Sequence, residues 1–247
     1  MSTPYLSIVI PAYNEAERIP KALIDIDRRL ARVDYSYEIL VIDDGSRDNT
    51  VAVVNKLVPM VKNLRVVESK ENMGKGAAVR AGMLLAKGQI RLFTDADNST
   101  SIDQFENMTP FFKQGYAVVI GSRAAAGARL ELPEPLYRQL IGKGLNLFVQ
   151  AILVRGIWDT QCGFKAFTAE AAERIFRMSR IPGWVFDVEI LSIAKLLGYK
   201  IKEMPVRWVD DTRSHVRWSA GLQFIRDAVK IRLWIWRHEY EPMVNRQ

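Results

Sequence analysis

The chain has 247 residues, of which 49% are hydrophobic and 26% charged, a balance that excludes disordered, collagen-like and low-complexity chains. At roughly 150 residues per domain this is one domain, or one with appendages, able to bury about 70–75% of its extended surface without staples. Its 35 Lys and Arg against 28 Asp and Glu leave a formal charge of +7, which favours anionic partners without choosing among nucleic acid, lipid and phosphorylated substrates; the single cysteine, Cys162, excludes an internal disulfide framework and points to a reducing compartment.

No apolar run reaches the roughly 18 residues of a membrane span. The first residues carry no basic lead, so they are expected to begin a strand and not a secretory signal. Leu6–Pro11 is a continuous apolar run, as expected of a strand covered on both faces. Ile19, Leu23, Ile26 and Leu30 share one face of a predicted helix. Glu38–Ile42, Leu64–Glu68, Ile90–Thr94 and Tyr116–Gly121 predict further strands. A helix opens at Gly74-Lys75-Gly76, runs to Lys87 and closes at Gly88. Strands separated by such helices imply βαβ crossovers and a mostly parallel sheet. Polar residues cluster just after each strand, where open α/β sheets place their ligand crevice. In the second half, Pro133–Gly156 predicts one or two helices, Trp158–Phe167 an extended segment or hairpin, and Ala169 another helix start. Phe186–Leu197 predicts a buried helix, Ile201–Val209 a strand and Ser219–Glu239 an amphipathic helix. No linker, repeat or low-complexity segment intervenes. The expectation is one α/β domain with a C-terminal helical or hairpin elaboration.

Asp95 and Asp97 follow the Ile90–Thr94 strand. Two hard oxygen ligands suit Mg2+ or Mn2+, which keep waters and take substrate phosphates as further ligands. On an extended backbone the two side chains diverge, so a local turn has to bring them to one ion; otherwise they are an ordinary strand-end turn. Asp43 and Asp44 form a second acidic pair at a second strand end. Two such pairs on one crevice repel unless cations or hydrogen-bond donors intervene. The plainer role is a helix cap, which Ser46 or Asp48 fills equally well. Gly74-Lys75-Gly76 fits neither GxxxxGK[ST] nor GxGxxG; its amides, with Lys75, can receive a phosphate or simply start a helix. Arg123, directly after a predicted strand, stands out among Arg129, Arg138, Lys143, Lys165, Arg213 and Arg217, since most surface cations are only solvated. GxSxG, HExxH and CxxC are absent, and His215 and His238 lack metal-ligand spacing, so acyl hydrolases and zinc enzymes lose their signatures. No nucleic-acid-binding motif is present, and nucleic acid is not an expected partner.

The set Ile10-Pro11-Ala12-Tyr13-Asn14-Glu15, Ile42-Asp43-Asp44-Gly45-Ser46, Gly74-Lys75-Gly76 and Asp95-Ala96-Asp97 resembles the family 2 glycosyltransferases of the GT-A fold. Arg18-Ile19-Pro20, Gly121-Ser122-Arg123, Asp159-Thr160-Gln161-Cys162-Gly163-Phe164-Lys165 and Trp184-Val185-Phe186-Asp187-Val188-Glu189 make it most similar to the branch that glucosylates dolichyl phosphate, a neighbour of the mannosylating branch. The resemblance covers residues 5 to about 235. It implies a Rossmann-like, mostly parallel sheet flanked by helices, with residues 1–123 holding a nucleotide sugar and 124–247 holding the acceptor and meeting the membrane. Pro11, Tyr13, Glu15 and Asp44 would hold the nucleoside, with Asp43, Lys75, Asp95 and Ala96 completing the donor site. Asp95 and Asp97 would bind Mg2+ or Mn2+ on the diphosphate. Arg123 would sit at the reacting centre, with Arg138, Lys143 and Arg213 around the acceptor phosphate. Asp187 or Glu189 falls where many relatives carry a catalytic carboxylate. Two departures stand out: Asn98-Ser99-Thr100 follows the acidic pair where many glucose-transferring relatives have glycine, and Gln223-Phe224-Ile225-Arg226-Asp227 fails the QxxRW signature of processive synthases.

The implied reaction is transfer of one sugar, glucose from UDP-glucose, with inversion, to a dolichyl or other polyprenyl phosphate, by an enzyme peripheral on the cytoplasmic face of a membrane. Mannose from GDP-mannose and a saccharide or protein hydroxyl acceptor are the alternatives. A phosphate acceptor with a second pKa near 6 is mostly dianionic and needs no general base, whereas a hydroxyl needs a positioned carboxylate. In the last helix Leu222, Ile225, Val229, Leu233 and Trp236 form a stripe flanked by Arg226, Lys230, Arg232 and Arg237. That pattern suits a lipid headgroup boundary, or packing on the protein's own core.

Overall fold

The computed structural model describes residues 3–130, 136–209 and 219–240. In chain order the strands are β1 (Leu6–Ala12), β2 (Tyr37–Asp43), β3 (Leu64–Glu68), β4 (Ile90–Phe93), β5 (Val118–Ser122), β6 (Arg129–Leu130), β7 (Lys165–Thr168), β8 (Ile201–Pro205) and β9 (Arg207–Trp208). The helices are α1 (Ile19–Leu30), α2 (Thr50–Leu57), α3 (Lys75–Leu85), α4 (Phe105–Lys113), α5 (Leu136–Ile152), α6 (Ala169–Met178), α7 (Phe186–Leu196) and α8 (Ser219–Trp236).

β1, reading LSIVIPA, is buried at every residue, because apolar layers cover both faces of the sheet. Val9 joins the layer with α3, α6 and α7, and Ile8 and Ile10 join the layer with α1, α2 and α4. The seven-stranded sheet has the order β3-β2-β1-β4-β7-β5-β8. β1 pairs in parallel with both β2 and β4, so strand order reverses between β1 and β4, the switch point at which open α/β sheets bind ligands. β7 alone runs antiparallel, between β4 and β5. The mostly parallel α/β sheet is therefore as expected.

Two expectations in the second half are corrected. Of Trp158–Phe167 only the end is strand, and it pairs with β4 and β5, not with itself as a hairpin. Ile201–Val209 divides: β8 lies beside β5, and β9 pairs with β6 in a separate two-stranded ribbon. Pro205, lacking an amide, stands where the ladder with β5 ends.

Candidate active site

The donor corner grows from the carboxyl ends of β1, β2 and β4. Ala12 pairs with Asp43, and the Asp44 amide donates to the Ala12 carbonyl, so the end of β1 is tied to the second acidic pair. Pro11 and Ala12 are buried; Tyr13 is exposed. Both Asp44 oxygens accept backbone amides, from Met73 at 2.9 Å and Gly74 at 2.8 Å. Asp43 accepts the Ser46 amide through Oδ2, while its buried Oδ1 has no partner among the described residues. This second pair is thus offset by amides and not by cations. The amides of Met73 and Gly74 are committed to Asp44, which removes them from any phosphate cradle at the start of α3. Gly74 sits at φ +102, and a Cβ there would meet the Pro182 carbonyl oxygen at 2.5 Å, so only glycine makes this turn.

Lys75 opens α3 and places Nζ 2.5 Å from Asp95 Oδ1 and 5.1 Å from the centre of the Trp184 ring. Burial works against its charge, but Asp95, Asp187 and Asp97 outweigh that and hold its pKa above the usual lysine value. A turn follows β4: Asn98 adopts φ 58 and its amide donates to the Asp95 carbonyl. Asp97 Oδ1 accepts the Ser99 amide at 2.9 Å. Burial, then the charge of Asp95, push the Asp97 carboxyl above the usual range. Burial does the same to Glu15, with Asp97 and Asp95 adding, although Arg18 forks onto its carboxylate at 2.5 and 2.6 Å. Ala96 is buried between the two aspartates. Gly163 lies against Asp95: a Cβ there would fall inside contact distance of the carboxylate, so any larger residue displaces Asp95.

The acceptor corner lies across β7. Arg123, just past β5, donates its amide and Nε to Asp159 Oδ2, both at 2.8 Å, and Nη2 to Oδ1 at 3.0 Å. Its guanidinium lies 5.3 Å from the Trp208 ring centre. Burial opposes ionisation of Asp159, yet the Arg123 bonds hold its carboxyl below the usual range. Glu203 on β8 accepts the amides of Trp158 and Asp159, each at 2.9 Å, and so fixes that loop. The β6–β9 ribbon joins the corners, because Val209 next to Trp208 donates to the Ser99 carbonyl and Ser99 donates to Asp97.

Glu189 does not join them. It is fully buried on α7 and accepts the amides of Arg180 and Ile181 and the Tyr240 hydroxyl. Burial raises its pKa, and its oxygens anchor the chain leading into α7. Asp187 is also buried, bonded to Lys165 at 2.5 Å. Lys165, one of the cations that residue type alone places on the surface, is fully buried and also donates to the Cys162 carbonyl. Arg138 and Lys143 fall on α5, and their side chains lie outside the described residues, as does Arg213 altogether. Asp159, Trp208, Gly163 and Trp184 touch candidate residues, and their residue types alone do not mark them. Asp159 and Gly163 share the Asp159–Lys165 motif, and that spacing was the available signal.

No group of three or more His, Cys, Asp or Glu residues among the described residues can hold a metal ion. The Asp95–Asp97 pair still fits a hard divalent cation, since such ions take one or two carboxylates and complete their shell with water and phosphate, and Asp97 is raised by burial first and by the charge of Asp95 second. The acidic pair follows β4, beside the switch point between β1 and β4, and the tethered guanidinium follows β5 on the far side of β7.

The sequence pattern of glycosyl transferase family 2 matches residues 7–176, and the chain belongs to that family. It is a glycosyltransferase. A dolichyl-phosphate β-glucosyltransferase of Dictyostelium discoideum is 38% identical over 250 residues, covering 94% of this chain and 76% of that protein. Those of Homo sapiens (36%, covering 98% and 81%) and Saccharomyces cerevisiae (33%, covering 93% and 74%) are similar over nearly the same length. Among solved structures, mannosyl-3-phosphoglycerate synthase from Rubrobacter xylanophilus shares the fold with a TM-score of 0.69 at 18% identity, covering 96% of this chain and 75% of that one. Glucosyl-3-phosphoglycerate synthase from Mycobacterium tuberculosis, crystallised with Mn2+, UDP and glucosyl-3-phosphoglycerate, does so with a TM-score of 0.65 at 20% identity, covering 93% and 80%.

Proposed function

We propose that the enzyme transfers one glucose, with inversion, from UDP-glucose to a dolichyl or other polyprenyl phosphate at a membrane surface. The observation that carries this reading is the tethered Arg123 across the sheet rim from the Asp95–Asp97 corner; the names of the relatives support the substrates.

Breaking a sugar–diphosphate bond loads negative charge on the leaving group, and a lipid phosphate brings more. Arg123 holds its position without the acceptor, so it receives that phosphate through charge-assisted bonds and offsets its repulsion from the donor. Arg138, Lys143 and Arg213 are assigned to the same phosphate. The acceptor is a dianion and attacks the anomeric carbon directly, opposite the leaving diphosphate, turning an α-linked donor into a β-linked product. This accords with the placement of Asp187 and Glu189, the two candidate bases, in the core. On the donor side Asp95 and Asp97 would hold Mg2+ or Mn2+, which when bound neutralises charge on the diphosphate. Lys75 adds a fixed positive charge beside them. Pro11, Tyr13, Glu15, Asp43, Asp44 and Ala96 frame the nucleoside end, where an N–H of the base would satisfy Asp43 Oδ1.

A panel of labelled nucleotide sugars offered with a polyprenyl phosphate tests this. Lipid-extractable label from UDP-glucose is the expected result. Label from GDP-mannose alone moves the enzyme to the mannose branch, and label only in water-soluble saccharide overturns the acceptor.

A further inference from the structure

α8 carries two apolar faces. Phe224, Ala228 and Ile231 are buried in the core. On the opposite side Leu222, Ile225, Val229, Leu233 and Trp236 are exposed, at 79%, 41%, 41%, 41% and 70%. At 3.6 residues per turn these five fall within an arc of about 80°. Arg226, Lys230 and Arg237 border that arc on one side and Arg232 on the other, all exposed. One apolar face suffices to hold a helix on its fold. Single exposed hydrophobes are ordinary, but five in one stripe between cationic borders mark a contact surface.

The geometry points to this outer face of α8 as a docking surface for an anionic lipid bilayer. A terminal tryptophan beside basic residues fits the headgroup boundary, with the leucines, isoleucine and valine below it. The basic borders complement anionic headgroups. A second copy of the same face would set Arg226, Lys230 and Arg237 against like charges, which disfavours self-association there. The first turn of α8 adjoins the donor corner: a Cβ added at Gly183 would lie 3.8 Å from Gln223 Nε2, and Trp184, the next residue, sits under Lys75. Docking therefore brings the crevice mouth to the lipid surface. Only this last step rests on the proposed lipid acceptor; the docking itself does not.

The test is co-sedimentation with phosphatidylcholine vesicles with and without phosphatidylserine. The wild type should bind the anionic vesicles at low salt and release them at high salt. Each basic residue near an anionic leaflet is worth about fivefold in partitioning, so Arg226→Gln/Lys230→Gln/Arg237→Gln should weaken binding about a hundredfold. Leu222→Ser/Leu233→Ser/Trp236→Ser, which removes only exposed groups, should keep the native circular dichroism and lose vesicle binding. That variant should still transfer sugar to acceptor dispersed in detergent while losing transfer to acceptor in vesicles. No wild-type sedimentation at low salt, undiminished binding by the serine variant, or a dimer that the serine variant abolishes would each overturn the assignment. Failure of wild-type transfer in detergent would instead count against the substrates and leave the vesicle result to judge the docking face.

Discussion

At the rim of the sheet, the Asp95–Asp97 corner and the Arg123–Asp159 corner are built from the same materials, a carboxylate ion-paired to a cation, yet they end in opposite electrostatic states. Around Asp159 one carboxylate meets a two-pronged guanidinium and a backbone amide, and its pKa falls despite burial. Around Asp95 three carboxylates share Lys75 and Arg18, and both Asp97 and Glu15 are pushed up. The acceptor side is complete as folded and presents a fixed cation. On the donor side burial comes first and neighbouring carboxylates second in holding Asp97 and Glu15 up, and a bound cation would favour their charged forms. An enzyme that joins two anionic substrates can use both conditions, a guanidinium held in place for one and a desolvated carboxylate pair that takes a cation for the other.

The largest effect is expected on the donor side. Asp97→Asn keeps the shape of the corner and removes a carboxylate charge, and turnover with Mg2+ or Mn2+ should fall about a thousandfold. A near-native rate would break the donor assignment. Next is the buried Lys165–Asp187 pair, whose lysine lies on β7 between the corners. Lys165→Ala leaves Asp187 buried and unpaired and should cost about 3–5 kcal/mol of stability in urea unfolding, while Lys165→Met/Asp187→Leu should restore most of it. A neutral Lys165→Ala would mean the pair does not hold the strand between the corners. Smaller again is Asp159→Asn, which loosens Arg123 without moving the donor site. It should lower kcat/KM for the lipid phosphate about 10–100-fold and leave the donor KM unchanged; a rise in donor KM would merge the two corners into one.

How far this contrast was legible in the sequence differs residue by residue. β1, β2 and β4 read as strands because parallel strands covered on both faces are continuous apolar runs. Asp95, Asp97 and Arg123 could be singled out because they directly follow such runs. The tether of Arg123 could not be, since Asp159 lies 36 residues further on and only the fold brings it back. Lys165 read as a surface cation because its partner is 22 residues away on a different element. Asp187 or Glu189 stands out only by resemblance to the family; the bonds of Glu189 to Arg180, Ile181 and Tyr240 come from elements that only the fold brings together. The exposed stripe of α8 was visible as a pattern, but its inward or outward direction needed the packing of Phe224, Ala228 and Ile231.

The smallest expected effect separates the corners by sign. Asp159 has a folded-state pKa below its ordinary 3.8. Its contribution to stability is fully present above that value and is lost as pH falls through the folded pKa. Asp97 is shifted the other way from the same 3.8. Between that value and its higher folded pKa the unfolded chain is ionised while the fold keeps the proton, so stability declines as pH rises through this window. In chelator-treated protein, Asp159→Asn should therefore be less stable than wild type at pH 7, with the gap closing below about pH 4. Asp97→Asn should be slightly more stable at pH 7, with its advantage shrinking as pH falls from the raised folded pKa of Asp97 toward 3.8, a window above the one that closes the Asp159 gap. Urea unfolding from pH 3 to 8 reads both. Curves that shift in the same direction for the two variants would show that the corners do not differ in charge balance, and the contrast would reduce to geometry.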